Sequence, residues 1–382
     1  MRNFISEDDI EQAILAKLKV EPFKYDDIIV CDADPSKRDD LNDGTGRTSK
    51  RECVLPDIML SALKSINPTI PEDKIKEMVK VLKQDYTGTD IVDTNYMLYR
   101  QIRNSIKITV RRNGKEDFDF IKLIDFEHPK DNTFTAVSQM WIQGKVYYRR
   151  PDILIFINGM PLVFIELKNS IVKVEEAYNK NLKDYIRDIP NLFAFNQICV
   201  LSNGLETKLG AFNATYDYFF EWLKVDSEKE KLDRESLLSA DNVKDSSVRY
   251  FVDGLLNKDR LIDYIENFIL FENQRIKIIA KNHQYLGVNN LMESLKNRKE
   301  LNGKLGVFWH TQGSGKSYSM VMFARKVKRK VAGNFSFLVI TDREDLDTQI
   351  HKNFVRTEVI GSKEECQPKD SKQLREFLTT NK

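Results

Sequence analysis

The chain has 382 residues, of which 41% are hydrophobic and 31% are charged, and its 60 basic residues nearly balance its 58 acidic residues. This length predicts two or three domains with substantial cores. The net charge of +2 excludes any argument for a nucleic-acid partner from overall charge alone. The sequence shows no signal peptide and no apolar run long enough to span a membrane, and its cysteines are scattered without the spacing of a zinc site, which favours a cytoplasmic protein.

The N-terminal part of the chain predicts helices around a polar loop. Residues 1–30 contain a short amphipathic helix and then the strand YDDIIV. Residues 31–52 are polar and contain glycine, which predicts a loop. Residues 55–84 predict two helical pieces, because Pro68 and Pro71 interrupt the pattern between them.

The next part of the chain, residues 95–148, is predicted to be rich in β-structure. Turn residues stand at Asn113-Gly114 and at Gly144. The strand candidates that these turns separate are IKITV, FDFIKLIDF, FTAVSQMWI and KVYYR.

Residues 149–170, RRPDILIFINGMPLVFIELKNS, contain two very apolar strands with charged residues at their ends. Ile153–Ile157 and Leu162–Ile165 are continuous apolar runs, which is typical of strands buried on both faces. Asn158-Gly159 between them predicts a tight hairpin turn. Charged side chains at the ends of buried strands are costly unless they are paired or bind a metal. The alternative is that the charged ends of this hairpin simply reach water.

The register of this hairpin decides whether its charged residues can act together. A strict two-residue turn would pair Asp152 with Ile165 and leave Glu166 on the other face. A three-residue loop, or a bulge at Gly159, would place Asp152, Glu166 and Lys168 on one face. Cross-strand neighbours lie roughly 5 Å apart at Cβ, which would let the two carboxylates bind one divalent cation such as Mg²⁺.

The order Pro151-Asp152 and then Glu166-Leu167-Lys168 resembles the PD-(D/E)xK nuclease motif. The resemblance implies an α/β fold whose nuclease core is a mixed sheet flanked by helices. It also implies that Asp152, Glu166 and the Leu167 carbonyl hold Mg²⁺ while Lys168 assists catalysis.

The segment 174–190 predicts a helix that stops before Pro190. Asn181 and Tyr185 are four residues apart and therefore share one face of it. One branch of the nuclease superfamily carries Gln-x-x-x-Tyr here, so the resemblance implies catalytic roles for Asn181, in place of the Gln, and for Tyr185. The alternative is ordinary helix packing.

The nuclease-like region is predicted to end before residue 249. Residues 196–204, NQICVLSNG, predict a further strand of the α/β core. The charged, serine-rich stretch 226–248 is interpreted as a linker or insertion. The predicted endonuclease domain is therefore 1–248, and the second domain is 249–382.

The second domain contains LGVFWHTQGSGKSYSM at 305–320, where an apolar strand, Leu305–Trp309, is predicted to lead into a glycine-containing loop and a helix. This arrangement is typical of a phosphate-binding loop, in which backbone N–H groups bind phosphates, Lys316 reaches the β- and γ-phosphates of ATP and Ser317 binds Mg²⁺. The residues predicted to bind the nucleotide are Thr311, Gln312, Gly313, Ser314, Gly315, Lys316 and Ser317. His310 occupies the first glycine position of the consensus, a departure that superfamily 2 helicases share. The alternative is a chance sequence in a flexible loop.

Two neighbouring segments resemble other helicase motifs. RIKIIAKNHQYLGVNNL (275–291) resembles the Q motif, which implies that Gln284 reads the adenine. FSFLVITDREDLDTQI (335–350) predicts a strand and then a helix and resembles motif Ia. The basic run 324–330 is interpreted as the solvated face of the helix that follows the phosphate loop.

Several segments together resemble the restriction (R) subunit of type I restriction–modification enzymes; they are NTFTAVSQMWIQGKVYYRRPDILIFINGMPLVFIELKNS, DIPNLFAFNQICVLSNG, KIIAKNHQYLGVNNL, VFWHTQGSGKS and TDREDLDTQ. The resemblance implies cleavage of unmodified double-stranded DNA coupled to ATP-driven translocation, in complex with methylation (M) and specificity (S) subunits. No acidic DEAD/DExH motif is found, so we expect an N-terminal portion that holds the nuclease and the first part of a RecA-like lobe. The alternatives are a nuclease–helicase of another defence or repair system, or a module that only binds DNA or assembles with partners.

Overall fold

The computed structural model of this chain describes residues 4–112, 115–231, 237, 242–243, 246–360, 367–368 and 370–380. The chain forms two compact units. The first consists of Met1–Ile269 and Lys281–His283, and the second consists of Leu270–Ala280 and Gln284–Lys382. The predicted turn at Asn113-Gly114 and much of the predicted linker lie outside the described residues.

The first unit combines α-helices with β-strands. Its helices are α1 (Glu7–Leu18), α2 (Pro56–Ile66), α3 (Glu72–Leu82), α4 (Ile91–Asn104), α5 (Val174–Glu176), α6 (Lys183–Asp188), α7 (Ser247–Leu255) and α8 (Lys258–Asn267). Its strands are β1 (Asp27–Val30), β2 (Ile106–Arg112), β3 (Lys115–Ile121), β4 (Phe134–Ser138), β5 (Ile142–Gln143), β6 (Tyr148–Arg149), β7 (Ile153–Ile157), β8 (Met160–Leu167), β9 (Ile198–Ser202), β10 (Thr207–Gly210) and β11 (Phe220–Glu221).

A mixed sheet of seven strands in the order β1-β4-β7-β8-β9-β10-β11 forms the centre of the first unit. The pairs β1/β4 and β8/β9 are parallel, whereas the other neighbours are antiparallel. Every residue of β4, β7, β8 and β9 is buried, as expected for strands covered on both faces. The prediction of an α/β fold with a mixed sheet is therefore confirmed.

The hairpin β7–β8 has the register that places Asp152 opposite Glu166, but it reaches this register in a different way from the one predicted. Its turn is a strict two-residue turn, Asn158-Gly159, in which both residues have positive φ (50° and 76°). The expected odd-length loop or bulge at Gly159 is therefore wrong. The extra residue is Leu162, because Phe156 pairs with Pro161 whereas Ile155 pairs with Val163.

The prediction of β-structure over 95–148 is wrong for residues 95–104, which belong to α4. Asp90 caps this helix, because its carboxylate accepts hydrogen bonds from the N–H groups of Val92 and Asp93. The buried residues Leu98 and Ile102 are four apart, which is the spacing of a helix face and not of a strand. The strands β2 and β3 follow as an antiparallel hairpin.

The boundary between the compact units lies at Ile269, later in the chain than the predicted position 248/249. The helices α7 and α8 belong to the first unit because they pack against it. The Tyr25 hydroxyl donates to the carbonyl of Leu256 at 2.9 Å, and the Tyr99 hydroxyl donates to that of Ile265 at 3.1 Å. The charged stretch before α7 therefore does not mark the end of the first unit.

The second unit combines one small hairpin with longer helices. Its elements are β12 (Ile269–Glu272), β13 (Ile276–Ile279), α9 (Asn282–Lys296), α10 (Lys316–Lys330), α11 (Glu344–Arg356) and α12 (Ser371–Thr380). The first residue of β12 and the first two residues of α9 belong to the first unit. The predicted helices after the phosphate loop and after residue 343 are confirmed. In the described ranges, none of the helices of either unit is long and apolar enough to cross a membrane.

The strands predicted at 305–309 and 335–341 are wrong, since neither segment forms a hydrogen-bonded ladder although the structure describes all of these residues. The side chains of Val307 and Trp309 are 91% and 83% exposed. Both segments contain apolar runs of strand length, but a strand also needs a neighbouring backbone to pair with.

We predict that Gly159→Ala destabilises the first unit. Gly159 has a φ of +76°, and a Cβ there would lie 2.6 Å from the Leu55 carbonyl oxygen and 2.8 Å from the Met59 Cβ. We expect the free energy of unfolding, measured by urea titration, to fall by about 1–3 kcal/mol. Gly88 is the matched control, because a Cβ there meets nothing within 4 Å. An equal effect of both substitutions would contradict the prediction.

Candidate active site

Asp152 lies immediately before β7, at the end of the sheet where β8 finishes. Because Ile153 pairs with Ile165, the same register places Asp152 opposite Glu166. The Asp152 Oδ2 accepts a hydrogen bond of 2.7 Å from the N–H of Leu167. This bond ties the two strand ends together and fixes the carboxylate. Asp152, Glu166 and Lys168 therefore meet at one place, as the parity argument predicted.

Glu166 is almost fully buried, with 2% of its surface exposed. Its Oε1 accepts a hydrogen bond of 3.0 Å from the Lys168 Nζ, which also donates to the Leu167 carbonyl at 2.6 Å. Its Oε2 is buried and has no hydrogen-bond partner among the described residues. A buried carboxylate oxygen without a donor is costly, so this atom indicates a place for a cation.

Burial opposes the ionisation of both carboxylates, and Asp152 also opposes that of Glu166. Desolvation raises the pKa of Glu166 well above its usual range, and the neighbouring Asp152 raises it further, while Lys168 acts in the opposite sense. Desolvation also raises the pKa of Asp152, and the hydrogen bond from Leu167 acts against this. A cation between them would favour the charged form of both groups.

The oxygen atoms at this place fit a hard divalent cation. The donor set comprises two carboxylates and a backbone carbonyl, and Mg²⁺ usually takes one or two carboxylates together with water and phosphate. Within the described part of the chain, no group of three or more His, Cys, Asp or Glu side chains is arranged to hold a metal ion. The unpartnered Glu166 Oε2 is the observation that supports the fit.

The helix that follows β8 approaches the site through Tyr185. Between α5 and α6 the backbone forms a π-helix at Ala177–Leu182, a feature that is frequent at functional sites. The buried Tyr185 hydroxyl donates to the Arg150 carbonyl at 3.1 Å. Burial raises the pKa of Tyr185, and the Glu166 and Asp152 carboxylates add to the rise, so this hydroxyl keeps its proton. Asn181, in the π segment, acts against this rise in the pKa of Tyr185, and its predicted catalytic role stays a prediction.

Three residues that the sequence analysis missed act on Asp152 by contact or by charge. Glu11 on α1 is 5% exposed, and its carboxylate accepts a hydrogen bond from the Gln139 side chain. Glu7, one helical turn earlier, raises the pKa values of Asp152 and Glu166 through its charge. The signal in the sequence was the spacing of Glu7 and Glu11, which places both on one helix face. Nothing in the local sequence of Gln139 pointed to this place.

The second unit holds the predicted phosphate loop. Gly313 and Gly315 have positive φ values of 78° and 87°, and α10 begins directly afterwards at Lys316. The Lys316 Nζ donates to the carbonyls of His310 and Thr311, at 2.9 and 3.0 Å. Its ammonium is therefore held over the loop, where it could meet phosphate oxygens.

The other predicted nucleotide-binding residues lie in this loop or against it, and the contact of Gln284 differs from the predicted one. Thr311, Gln312 and Gly313 are exposed, whereas Ser314 and Ser317 are half-buried. Gln284 is buried, and its Nε2 donates to the Gly315 carbonyl at 2.9 Å. The structure thus places the Gln284 amide against the loop backbone, and its predicted contact with adenine stays a prediction.

Comparisons with known proteins match both units. A family model described as the N terminus of type I restriction enzyme R protein matches residues 4–218, and one described as SWI2/SNF2 ATPase matches residues 283–382. The chain is similar to the type I restriction enzyme HindI endonuclease subunit of Haemophilus influenzae, with 33% identity over 99% of this chain and 35% of the relative. It is similar to the putative MjaIXP endonuclease subunit of Methanocaldococcus jannaschii, with 32% identity over 81% of this chain and 31% of the relative. The chain thus spans about a third of the length of these curated relatives.

We predict that Glu166→Gln stabilises the cation-free chain at high pH. A carboxyl group whose pKa is raised by folding contributes stability that is present below its unfolded pKa, about 4.3, and is lost as the pH rises through the folded pKa. The neutral amide removes this loss, so urea unfolding in the presence of a chelator should show the gain at about pH 8 and little gain at about pH 4. Glu77→Gln, at an exposed residue of α3, is the control. Equal destabilisation by Glu166→Gln at both pH values would contradict the assignment.

Proposed function

Because this chain belongs to the family of type I restriction enzyme R proteins, we propose that its first unit is a PD-(D/E)xK endonuclease core that cleaves double-stranded DNA with Mg²⁺. The observation that carries the proposal is the pair Asp152 and Glu166. These carboxylates lie opposite each other at the ends of β7 and β8, and the Glu166 Oε2 is buried without a partner among the described residues. Lys168 lies against the same pair.

Each residue of the site has a role that follows from its contacts. Asp152, Glu166 and the Leu167 carbonyl would hold Mg²⁺, which when bound supplies positive charge to the scissile phosphate and makes a bound water more acidic. The ammonium of Lys168, held by Glu166 and by the Leu167 carbonyl, is available to orient a water or to neutralise a phosphate oxygen. Tyr185 positions the backbone just before Asp152 through its bond to the Arg150 carbonyl.

We propose that the second unit binds ATP and forms the first part of a RecA-like lobe of superfamily 2. Its match to the SWI2/SNF2 ATPase model supports this proposal, as does the loop in which Lys316 follows two glycines with positive φ. In the whole enzyme, cleavage of unmodified DNA would be coupled to ATP-driven translocation, in a cytoplasmic complex with methylation and specificity subunits. The relatives named as type I endonuclease subunits favour this assembly over another nuclease–helicase system.

A function limited to assembly or DNA binding is less well supported. A site that had lost its catalytic role would be free to lose its costly buried charge. Here Glu166 is buried with an oxygen that has no partner among the described residues, and Lys168 is kept beside it. Proteins retain such destabilising arrangements mainly where activity depends on them.

We predict that Asp152→Ala and Glu166→Ala each reduce plasmid nicking by the complete enzyme to the level seen without Mg²⁺, because each removes a cation ligand. DNA-stimulated ATP hydrolysis should be retained, since the phosphate loop belongs to the other compact unit. Glu77→Gln is the control for removal of an exposed carboxylate. Full nicking by either alanine variant would refute the nuclease assignment.

We predict that Lys316→Ala weakens binding of ATP to this chain by about tenfold or more, which is about 1.4 kcal/mol, because an ammonium that meets phosphates is lost. Titration with a fluorescent ATP analogue measures this change. Lys304→Ala removes an exposed lysine of the same unit and should leave the affinity unchanged. Equal affinities for all three proteins would mean that this loop does not bind the nucleotide.

A further inference from the structure

The helix α1 forms one wall of the candidate nuclease site. A capping box fixes the start of this helix. The Ser6 hydroxyl accepts a hydrogen bond from the Asp9 N–H, and the Asp9 carboxylate accepts one from the Ser6 N–H. Buried apolar residues such as Ile10 and Ile14 hold the helix against the first unit. Glu7 and Glu11 share the face that acts on Asp152, since the charge of Asp152 raises the pKa of Glu11 and that of Glu7 raises the pKa of Asp152.

Gln139 connects this helix to Asp152. Its Nε2 donates to the Glu11 carboxylate and also lies 3.4 Å from the Asp152 Oδ1, and its backbone N–H donates to the Asp152 carbonyl at 3.0 Å. Its backbone has a φ of 56°, a conformation that non-glycine residues rarely adopt. Strain of this kind persists where surrounding contacts enforce it, and it clusters at functional sites.

A second observation at this place points to a bound ligand. The Oε2 of Glu166 is buried without a partner among the described residues, and so is the Oε1 of Gln139. The first oxygen belongs to the residue opposite Asp152, and the second belongs to the amide whose Nε2 contacts Glu11 and Asp152. A cation with its water shell would satisfy such atoms, because waters bound to a metal donate hydrogen bonds.

We propose that Glu11 is a positioning residue of the cation site, acting through Gln139. Glu11 holds the Gln139 amide, and that amide together with the Leu167 N–H fixes both oxygens of Asp152. Asp152 itself lies opposite Glu166 in the register of the hairpin. Each carboxylate oxygen keeps a free lone pair for the cation after accepting one hydrogen bond. This inference rests on the proposed nuclease function and adds Glu11 and Gln139 to its site.

The competing interpretation is that Glu11 and Gln139 only connect α1 to the sheet. A purely structural link would change stability but not the affinity for a cation. Outer-sphere partners of metal ligands, by contrast, typically alter metal affinity by about 10–100-fold when removed. Direct measurement of Mn²⁺ binding to the 382-residue chain, with no DNA present, separates the two interpretations.

The experiment compares Glu11→Leu, Gln139→Ala and the variant carrying both. We expect each single change to weaken Mn²⁺ binding by about tenfold, and the double change to weaken it no further, because both remove one chain of contacts. Glu11→Gln keeps an acceptor for Gln139, so its affinity for Mn²⁺ should lie within about threefold of that of the unchanged chain. Glu77→Gln is the control on α3.

Asp152→Asn distinguishes failure of this inference from failure of the proposed function. If Asp152→Asn leaves Mn²⁺ binding intact, the cation site itself is wrong and this inference falls with it. If Asp152→Asn abolishes binding while Glu11→Leu and Gln139→Ala bind like the unchanged chain, only the role of Glu11 and Gln139 is overturned. Circular dichroism checks folding, and the half-buried Gln139 carries the test if Glu11→Leu does not fold.

Discussion

The register between β7 and β8 is the constraint on which the candidate nuclease site depends. Side chains alternate across a strand, so a shift of one residue moves a whole set of side chains to the other face. The single extra residue Leu162 makes that shift, and it places Asp152 opposite Glu166 in spite of a two-residue turn. The close approach of Gly159 to Leu55 and Met59 holds the turn in place. The bond between Leu167 and Asp152 exists only in this register.

Burial makes the Asp152–Glu166 pair costly for the stability of the fold and favourable for binding a cation. Glu166 lies inside the sheet, where its charge is poorly solvated, and its neighbours compensate it only in part: Lys168 satisfies one oxygen, whereas the other has no partner among the described residues. A site with a solvated pair would be more stable without a cation but would also bind it less strongly. Here the parallel neighbour β9 helps to fix the geometry, because the Ser202 carbonyl accepts from the Lys168 N–H at 2.8 Å.

The second unit presents its loop in a shape suited to phosphate. Positive φ at Gly313 and Gly315 turns the backbone, and Lys316 and Gln284 donate to loop carbonyls. Bonds from Lys316 to neutral carbonyls are weaker than those to charged phosphate oxygens, so the lysine can exchange one set for the other. The loop geometry is therefore formed by its own residues before any nucleotide is considered.

The sequence by itself determined the elements whose signals are local. The apolar runs of β7 and β8, the Asn158-Gly159 turn, the helix ending before Pro190 and the loop before Lys316 could all be read from residue types and spacing. Only the tertiary structure decided the bulge at Leu162, since a bulge depends on pairing with another strand. It also decided the meeting of Glu11 and Gln139, which are far apart in the chain, and the absence of ladders at the described residues 305–309 and 335–341. The physical reason is the same throughout: propensity and periodicity act within a few residues, whereas register, burial and side-chain contacts across the fold depend on which distant segment lies alongside.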